Sequence, residues 1–375
     1  MAIIFLNGLN AKAGGGKSIL NNFLTLLKAS PSPHQFLVLT PDAAAYKKYE
    51  NESIKIVDIP QIYKNKGAFP IVYSLILPRL LAKLNIDLLF NLADIPVRTK
   101  IKQVFLFDWS YAVYPNSVAW SMMGYKDFII RKTKLFYFKT YLKYIDEIIA
   151  QTDTMKKRLS ELYHFKHISV VPNAVSLENM VGGDNKDFAL PDGIKLLYLT
   201  HYYPHKNLEI FLPLAQEIKK RKANYKIITT IAAEQHSSAK KFLADITELD
   251  VADVIHNVGP VDMKHVPSLY QQSDGLLMPT LLESFSGTYV EAMFHKIPIF
   301  TSDLDFAEGV CKNGAEYFNP MDAHSILNAL ENIYQNKNKK DTLLANATHV
   351  LNQLPNWNQA FAMYNDILDK VLDNE

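Results

Sequence analysis

An alternation constrains this chain more than any other feature. Short, almost wholly apolar runs recur between longer stretches with helical spacing, and the whole pattern occurs twice. In the first half the runs lie at 3–6, 36–40, 54–59, 88–92, 104–108, 148–151 and 168–171. Runs this short and this continuously apolar fit strands covered on both faces, as parallel strands are. The stretches 18–28, 126–144 and 154–163 can supply the crossover helices. A polar interval with Gly182, Gly183, Asp184 and Asn185 follows, and the alternation restarts at 196–199, 227–231, 254–258, 275–278, 297–301 and 317–318. The pattern predicts an α/β protein of two doubly wound, Rossmann-like domains. Their expected bounds are 1–172 and 195–356, with a linker over 173–194. In the last stretch, 357–372, Phe361, Tyr364, Ile367, Leu368 and Val371 form a helical stripe. That helix is expected either to finish the second domain or to cross back onto the first.

Composition narrows the setting. The single cysteine, Cys311, excludes an internal disulfide and a cysteine-built zinc site, which suits a reducing cytoplasm. The first residues lack the basic start and long apolar core of a secretory signal. No apolar run reaches the roughly eighteen residues of a membrane span. A cytoplasmic protein is expected, and nothing in the pattern points to nucleic acid. The small net charge hides an asymmetry: residues 1–170 carry 23 Lys+Arg against 12 Asp+Glu, and the remainder 17 against 26. A basic first half favours a phosphate-bearing ligand or an anionic surface.

Two segments could carry chemistry. Ala13-Gly14-Gly15-Gly16-Lys17-Ser18 follows the first strand and opens a helix. Glycines let a backbone approach a ligand, and free amides at a helix start favour an anion. The Gly16-Lys17-Ser18 ending invites a P-loop reading, but that pattern needs a glycine where Ala11 stands. The second segment runs from Pro279 to Met293 and sets Glu283 and Glu291 eight residues apart across a strand-to-helix junction. Ligands of open α/β sheets bind at the carboxyl ends of such strands. Thr288-x-x-Glu291 also satisfies the capping-box pattern, so Glu291 is either a ligand-binding carboxylate or a helix cap.

That segment resembles the E-x7-E signature of the retaining glycosyltransferase family 4, whose members adopt the GT-B fold of two facing Rossmann-like domains. Other stretches resemble the family in order: Val170-Val171-Pro172-Asn173-Ala174-Val175, the strand ending Tyr198-Leu199-Thr200-His201, the loop Pro204-His205-Lys206-Asn207, Val258-Gly259-Pro260-Val261, and Ile297-Pro298-Ile299-Phe300-Thr301-Ser302. The stretch from Trp357 to Tyr364 resembles its C-terminal helix. The resemblance implies a hexosyl transfer from a UDP- or GDP-sugar to a glycan or lipid-linked acceptor, with retention of anomeric configuration and no metal or other cofactor. It implies that Glu291 binds the donor ribose and that Glu283 contacts the donor sugar. Phe285, Ser286 and Gly287 would lie near sugar and diphosphate, Gly259 near the base, and Lys206 would neutralise the leaving diphosphate. Gly15 and Gly16 would approach the diphosphate from the first domain.

The sequence departs from the family twice. His201 stands where an arginine is usual, so a second fixed positive charge is replaced by a titratable ring. At Phe107-Asp108 the family's acceptor-facing histidine is missing, which leaves Asp108 as the candidate for acceptor contact or as a structural cap. The stretch from Lys126 to Tyr144 interleaves Arg131, Lys132, Lys134, Lys139 and Lys143 with aromatic residues. It suits either peripheral contact with an anionic membrane or a solvated basic face. Asp303-Leu304-Asp305 mimics a metal-binding pair but is not expected to hold one. Two other functions stay open from sequence: a P-loop-like nucleotide hydrolase or phosphotransferase, and a nucleotide-sugar-binding module without catalysis.

Overall fold

The structure, a computed structural model, describes every residue except Ala13, Pro31, Gly182, Gly183, Asn374 and Glu375, and of Lys66 and Asn179 it describes the backbone alone. Ala13 of the glycine-rich turn and Gly182 and Gly183 of the expected linker thus lie outside the described residues. The chain forms two compact units.

The first unit holds a seven-stranded parallel sheet. Its strands are β1 (Ile3–Asn7), β2 (Gln35–Leu39), β3 (Ile54–Val57), β4 (Leu88–Asn91), β5 (Lys102–Phe107), β6 (Glu147–Ala150) and β7 (Ile168–Val170). They lie in the order β3-β2-β1-β4-β5-β6-β7. The order reverses between β1 and β4, which opens a crevice at the carboxyl ends of those strands. Asn7 and Asn91 sit opposite each other there, with Asn7 Nδ2 donating to Asn91 Oδ1 at 2.9 Å inside the core. Each expected strand is present, with ends shifted by no more than two residues.

Helix Gly14–Ala29 covers one face of the sheet through Leu20, Phe23, Leu24 and Leu27. The helix Trp357–Asp373 joins the same core: Tyr364 and Phe361 set their rings edge-on to Phe23, with centroids 6.1 and 5.1 Å away. Of the two placements open to this helix in sequence, it takes the return to the first unit. Between β3 and β4 the chain runs through short helical turns, including one turn of π-helix at Val72–Ile76 between Pro70 and Pro78. The sequence pattern shows nothing of these turns.

The second unit holds a six-stranded parallel sheet of β8 (Ile194–Tyr198), β9 (Tyr225–Thr229), β10 (Ile255–Asn257), β11 (Gly275–Met278), β12 (Ile299–Ser302) and β13 (Glu316–Phe318). The order is β10-β9-β8-β11-β12-β13, with its reversal between β8 and β11. The unit also takes in Tyr114–Met123, so the boundary differs from the one expected at 172. The cause is aromatic: buried Tyr114 sets its ring edge-on to Phe306 and donates its hydroxyl to Asp305 Oδ1 at 2.8 Å. A ten-residue loop beyond β5 has too little periodicity to reveal such an attachment.

Candidate active site

In the second unit the site is built by lashing two loops together. Strands β8 and β11 are neighbours, so the loops that leave their carboxyl ends run side by side. Asn207 takes a left-handed backbone (φ 56°), and its amide donates to the carbonyls of Pro279 at 3.1 Å and Pro320 at 2.8 Å. Leu281 N and Thr280 Oγ1 both donate to the carbonyl of His205. These bonds leave Lys206 facing Glu283, and the two form a short, largely buried ion pair. Thr280 Oγ1 lies 3.3 Å from the same carboxylate and shares its one hydrogen between it and the His205 carbonyl. An ammonium has three hydrogens, so Lys206 keeps donors for a second anion while Glu283 holds it in place.

Glu291 lies on the next helix, Gly287–Phe294, and its surroundings are different. Its carboxylate is buried and accepts a hydrogen bond from Tyr270 at 2.9 Å. Burial pushes its pKa up, and the Tyr270 hydroxyl pulls it partly back. Tyr270 is braced in turn by His295, whose ring lies parallel to it at 5.0 Å. The capping-box alternative fails. The helix N-cap is Ser286, no side chain caps it, and Glu291 is turned towards Tyr270. Ser286 Oγ bonds instead to Thr288 Oγ1 at 2.8 Å. An uncapped helix start presents amide N–H groups and the positive end of the dipole to an anion.

The remaining expected residues of this unit lie on the same sheet end. Gly259 follows β10 with φ 73° and open space where a side chain would stand. Phe285 and Gly287 are half-buried beside Ser286. His201 is exposed, and its Nδ1 meets the Gln235 amide at 2.8 Å. Asp305 accepts the Tyr114 hydroxyl and Asp303 lies against Glu308, and among the described residues no cluster of three His, Cys, Asp or Glu side chains is arranged to hold a metal.

In the first unit the glycine-rich turn and Asp108 come together. Gly14 has φ 59° and begins the helix four residues earlier than expected. A side chain on Gly16 would have the Asp108 carboxylate as a neighbour at 4.0 Å. Lys134 bonds to Asp94 and lies 5.3 Å from the Trp109 ring centroid. The Asp108 carboxyl is pushed up to about 7, by burial first and by Asp94 second, while Lys134 acts in the opposite direction. Lys17 and Ser18 of the P-loop alternative are exposed on the first helical turn. Tyr270 and Asp94 escaped sequence reasoning, and Lys134 showed only as one of the basic residues of 126–144, not as the partner of Asp94. A tyrosine on a short helix reads as core, and a pair forty residues apart leaves no local signal.

Comparison with known proteins fits this arrangement. The family model described as Glycosyltransferase Family 4 matches residues 13–179, and the one described as Glycosyl transferases group 1 matches 184–350. The O-antigen chain mannosyltransferase RfbU of Salmonella typhimurium is 27% identical over 56% of this chain and 58% of its own. An uncharacterized 41.2 kDa protein from the cps region of Klebsiella pneumoniae is 25% identical over 49% of this chain and 52% of its own. The chain thus spans little more than half the length of these curated relatives. Among solved structures, sucrose-phosphate synthase from Thermosynechococcus elongatus superposes with TM-score 0.75 at 14% identity, covering 99% of both chains. HepE of Anabaena, solved in complex with UDP, gives 0.71 at 14% identity, covering 99% of this chain and all of its own. At such identity the likeness speaks for the fold, which is the two-domain α/β GT-B fold. The chain belongs to the family 4-like glycosyltransferases.

Proposed function

We propose that this enzyme moves a hexose from a UDP- or GDP-sugar to a glycan or lipid-linked acceptor with retention of configuration, in surface polysaccharide synthesis. The Lys206–Glu283 pair beside an uncapped helix start carries the reading. Breaking a sugar–phosphate bond builds negative charge on the leaving diphosphate, and prearranged positive potential there lowers the barrier most. Lys206 and the amides of Ser286 and Gly287 supply it, so no acid is needed to protonate the leaving group. Glu283 orients Lys206 and meets the sugar hydroxyls. Glu291 accepts from the ribose, Gly259 leaves room for the base, and Phe285 borders the sugar. In the first unit, Asp108 beside Gly16 is the group proposed to receive the acceptor hydroxyl. His201 supplies a hydrogen bond where relatives supply charge.

The acceptor class draws support from the O-antigen mannosyltransferase and the cps-region protein among the relatives. A lipid-linked acceptor places the enzyme at the inner face of the membrane. No metal takes part in this scheme, so turnover should survive EDTA. Lys206→Ala should lower kcat about a hundredfold or more, as loss of one stabilising donor does. Proton NMR of the product should show the donor's anomeric configuration. Inverted product, or unchanged turnover in Lys206→Ala, would overturn the scheme.

A further inference from the structure

The helix Tyr125–Tyr141 of the first unit has apolar residues on two faces. Leu135, Phe138 and Tyr141 are buried against the body. On the opposite side Tyr125, Ile129, Lys132, Phe136 and Lys139 follow one another at spacings of four, three, four and three, one line along a helix. Lys143 continues it just past the helix end. All six are exposed: Tyr125 is 79% accessible, Phe136 64% and Ile129 45%. Phe128 and Ile130 lie exposed beside the line.

The neighbouring segment extends the apolar surface. Ser74 Oγ bonds to Tyr141 OH at 2.6 Å, and Phe69 sets its ring edge-on to Tyr137 at 5.8 Å. Ile71 and Leu75 of that segment are exposed too. A helix face made only to meet water would carry charges of both signs. Here Asp127 is the helix's acidic residue against Lys126, Arg131, Lys132, Lys134 and Lys139. Lys134 is turned inward to Asp94, while Lys132 and Lys139 stand on the outer line.

We infer that this face, with Ile129 and Phe136 between Lys132 and Lys139, is the surface by which the protein docks on an anionic lipid bilayer. Rings and aliphatic side chains enter the headgroup layer while the lysines meet lipid phosphates. The occupant follows from charge: alternating cations and large apolar groups match a surface that is anionic outside and apolar beneath. The inference deepens the lipid-linked acceptor reading, and its test runs without donor or acceptor.

The full-length protein is sedimented with phosphatidylcholine vesicles with and without phosphatidylglycerol. Binding should require the anionic lipid and weaken with salt. Lys132→Ala with Lys139→Ala should weaken it about tenfold or more, at roughly 1 kcal/mol per basic residue. Ile129→Ser with Phe136→Ser should weaken it without changing the salt dependence. Neither double variant should alter transfer to a soluble acceptor analogue. No vesicle binding, or binding indifferent to both variants, overturns the inference. A solution dimer that these substitutions dissociate also overturns it, since it assigns the face to a second copy of the chain. Normal transfer without vesicle binding would remove the docking surface and leave the proposed reaction standing.

Discussion

Replacing Tyr270 by phenylalanine removes one oxygen and little else. The ring still fills its place and still lies against His295, so no cavity opens. What is lost is the 2.9 Å hydrogen bond to buried Glu291. A hydrogen bond to a charged group is worth about 1.5–3 kcal/mol, and part of that loss falls on free and liganded protein alike. The share that nucleotide binding reads should lie near 1.4 kcal/mol, or about tenfold in affinity. The sign with pH is also fixed. Tyr270 holds the Glu291 pKa down against burial, so its removal lets that pKa rise further. A protonated carboxyl is the weaker acceptor for a ribose hydroxyl. Calorimetric titration with the cognate nucleotide should therefore show a deficit in Tyr270→Phe that widens as pH falls towards the raised Glu291 pKa. Wild-type affinity at every pH would refute the reasoning. A deficit independent of pH that follows a lowered melting temperature would refute it too, since it would make Tyr270 a packing residue only.

Two other groups give predictions with a definite direction. Glu291 has a folded pKa above its ordinary 4.5, so it favours the fold below that value and loses this contribution as pH rises through the raised one. Glu291→Gln should then raise the melting temperature at pH 7 while weakening nucleotide binding, and the gain should vanish below about pH 4.5. Asp108, pushed up to about 7, is protonated in mildly acid solution. The KM for acceptor should rise as pH falls below 7, and Asp108→Asn should abolish that pH dependence while leaving donor affinity unchanged.

Much of this fold was legible because a buried parallel strand leaves a plain trace. Ile3–Asn7 and Gly275–Met278 are apolar almost throughout, and nothing but burial on both faces explains that. Segments without periodicity left no such trace. The turns between β3 and β4 and the attachment of Tyr114 to the second unit both rest on particular side-chain contacts. At the site, Glu283, Glu291 and Lys206 were visible as residues but not as partners. Sequence put the two glutamates together as a pair, whereas the structure gives one a lysine and the other a tyrosine. Asn207, which ties the loops of β8 and β11, showed only as the last letter of a motif. Its left-handed backbone and its two carbonyl partners exist only once both loops are in place.

The central claim is that the second unit binds a nucleotide-diphosphate sugar through Glu291. Calorimetry with UDP, GDP, ADP and their hexoses, on the wild type and on Glu291→Ala, tests it most directly. The account predicts saturable binding of one nucleotide and its sugar by the wild type, lost in the variant. Binding of none, with ATP and magnesium alone taken up in a Lys17-dependent way, would contradict it.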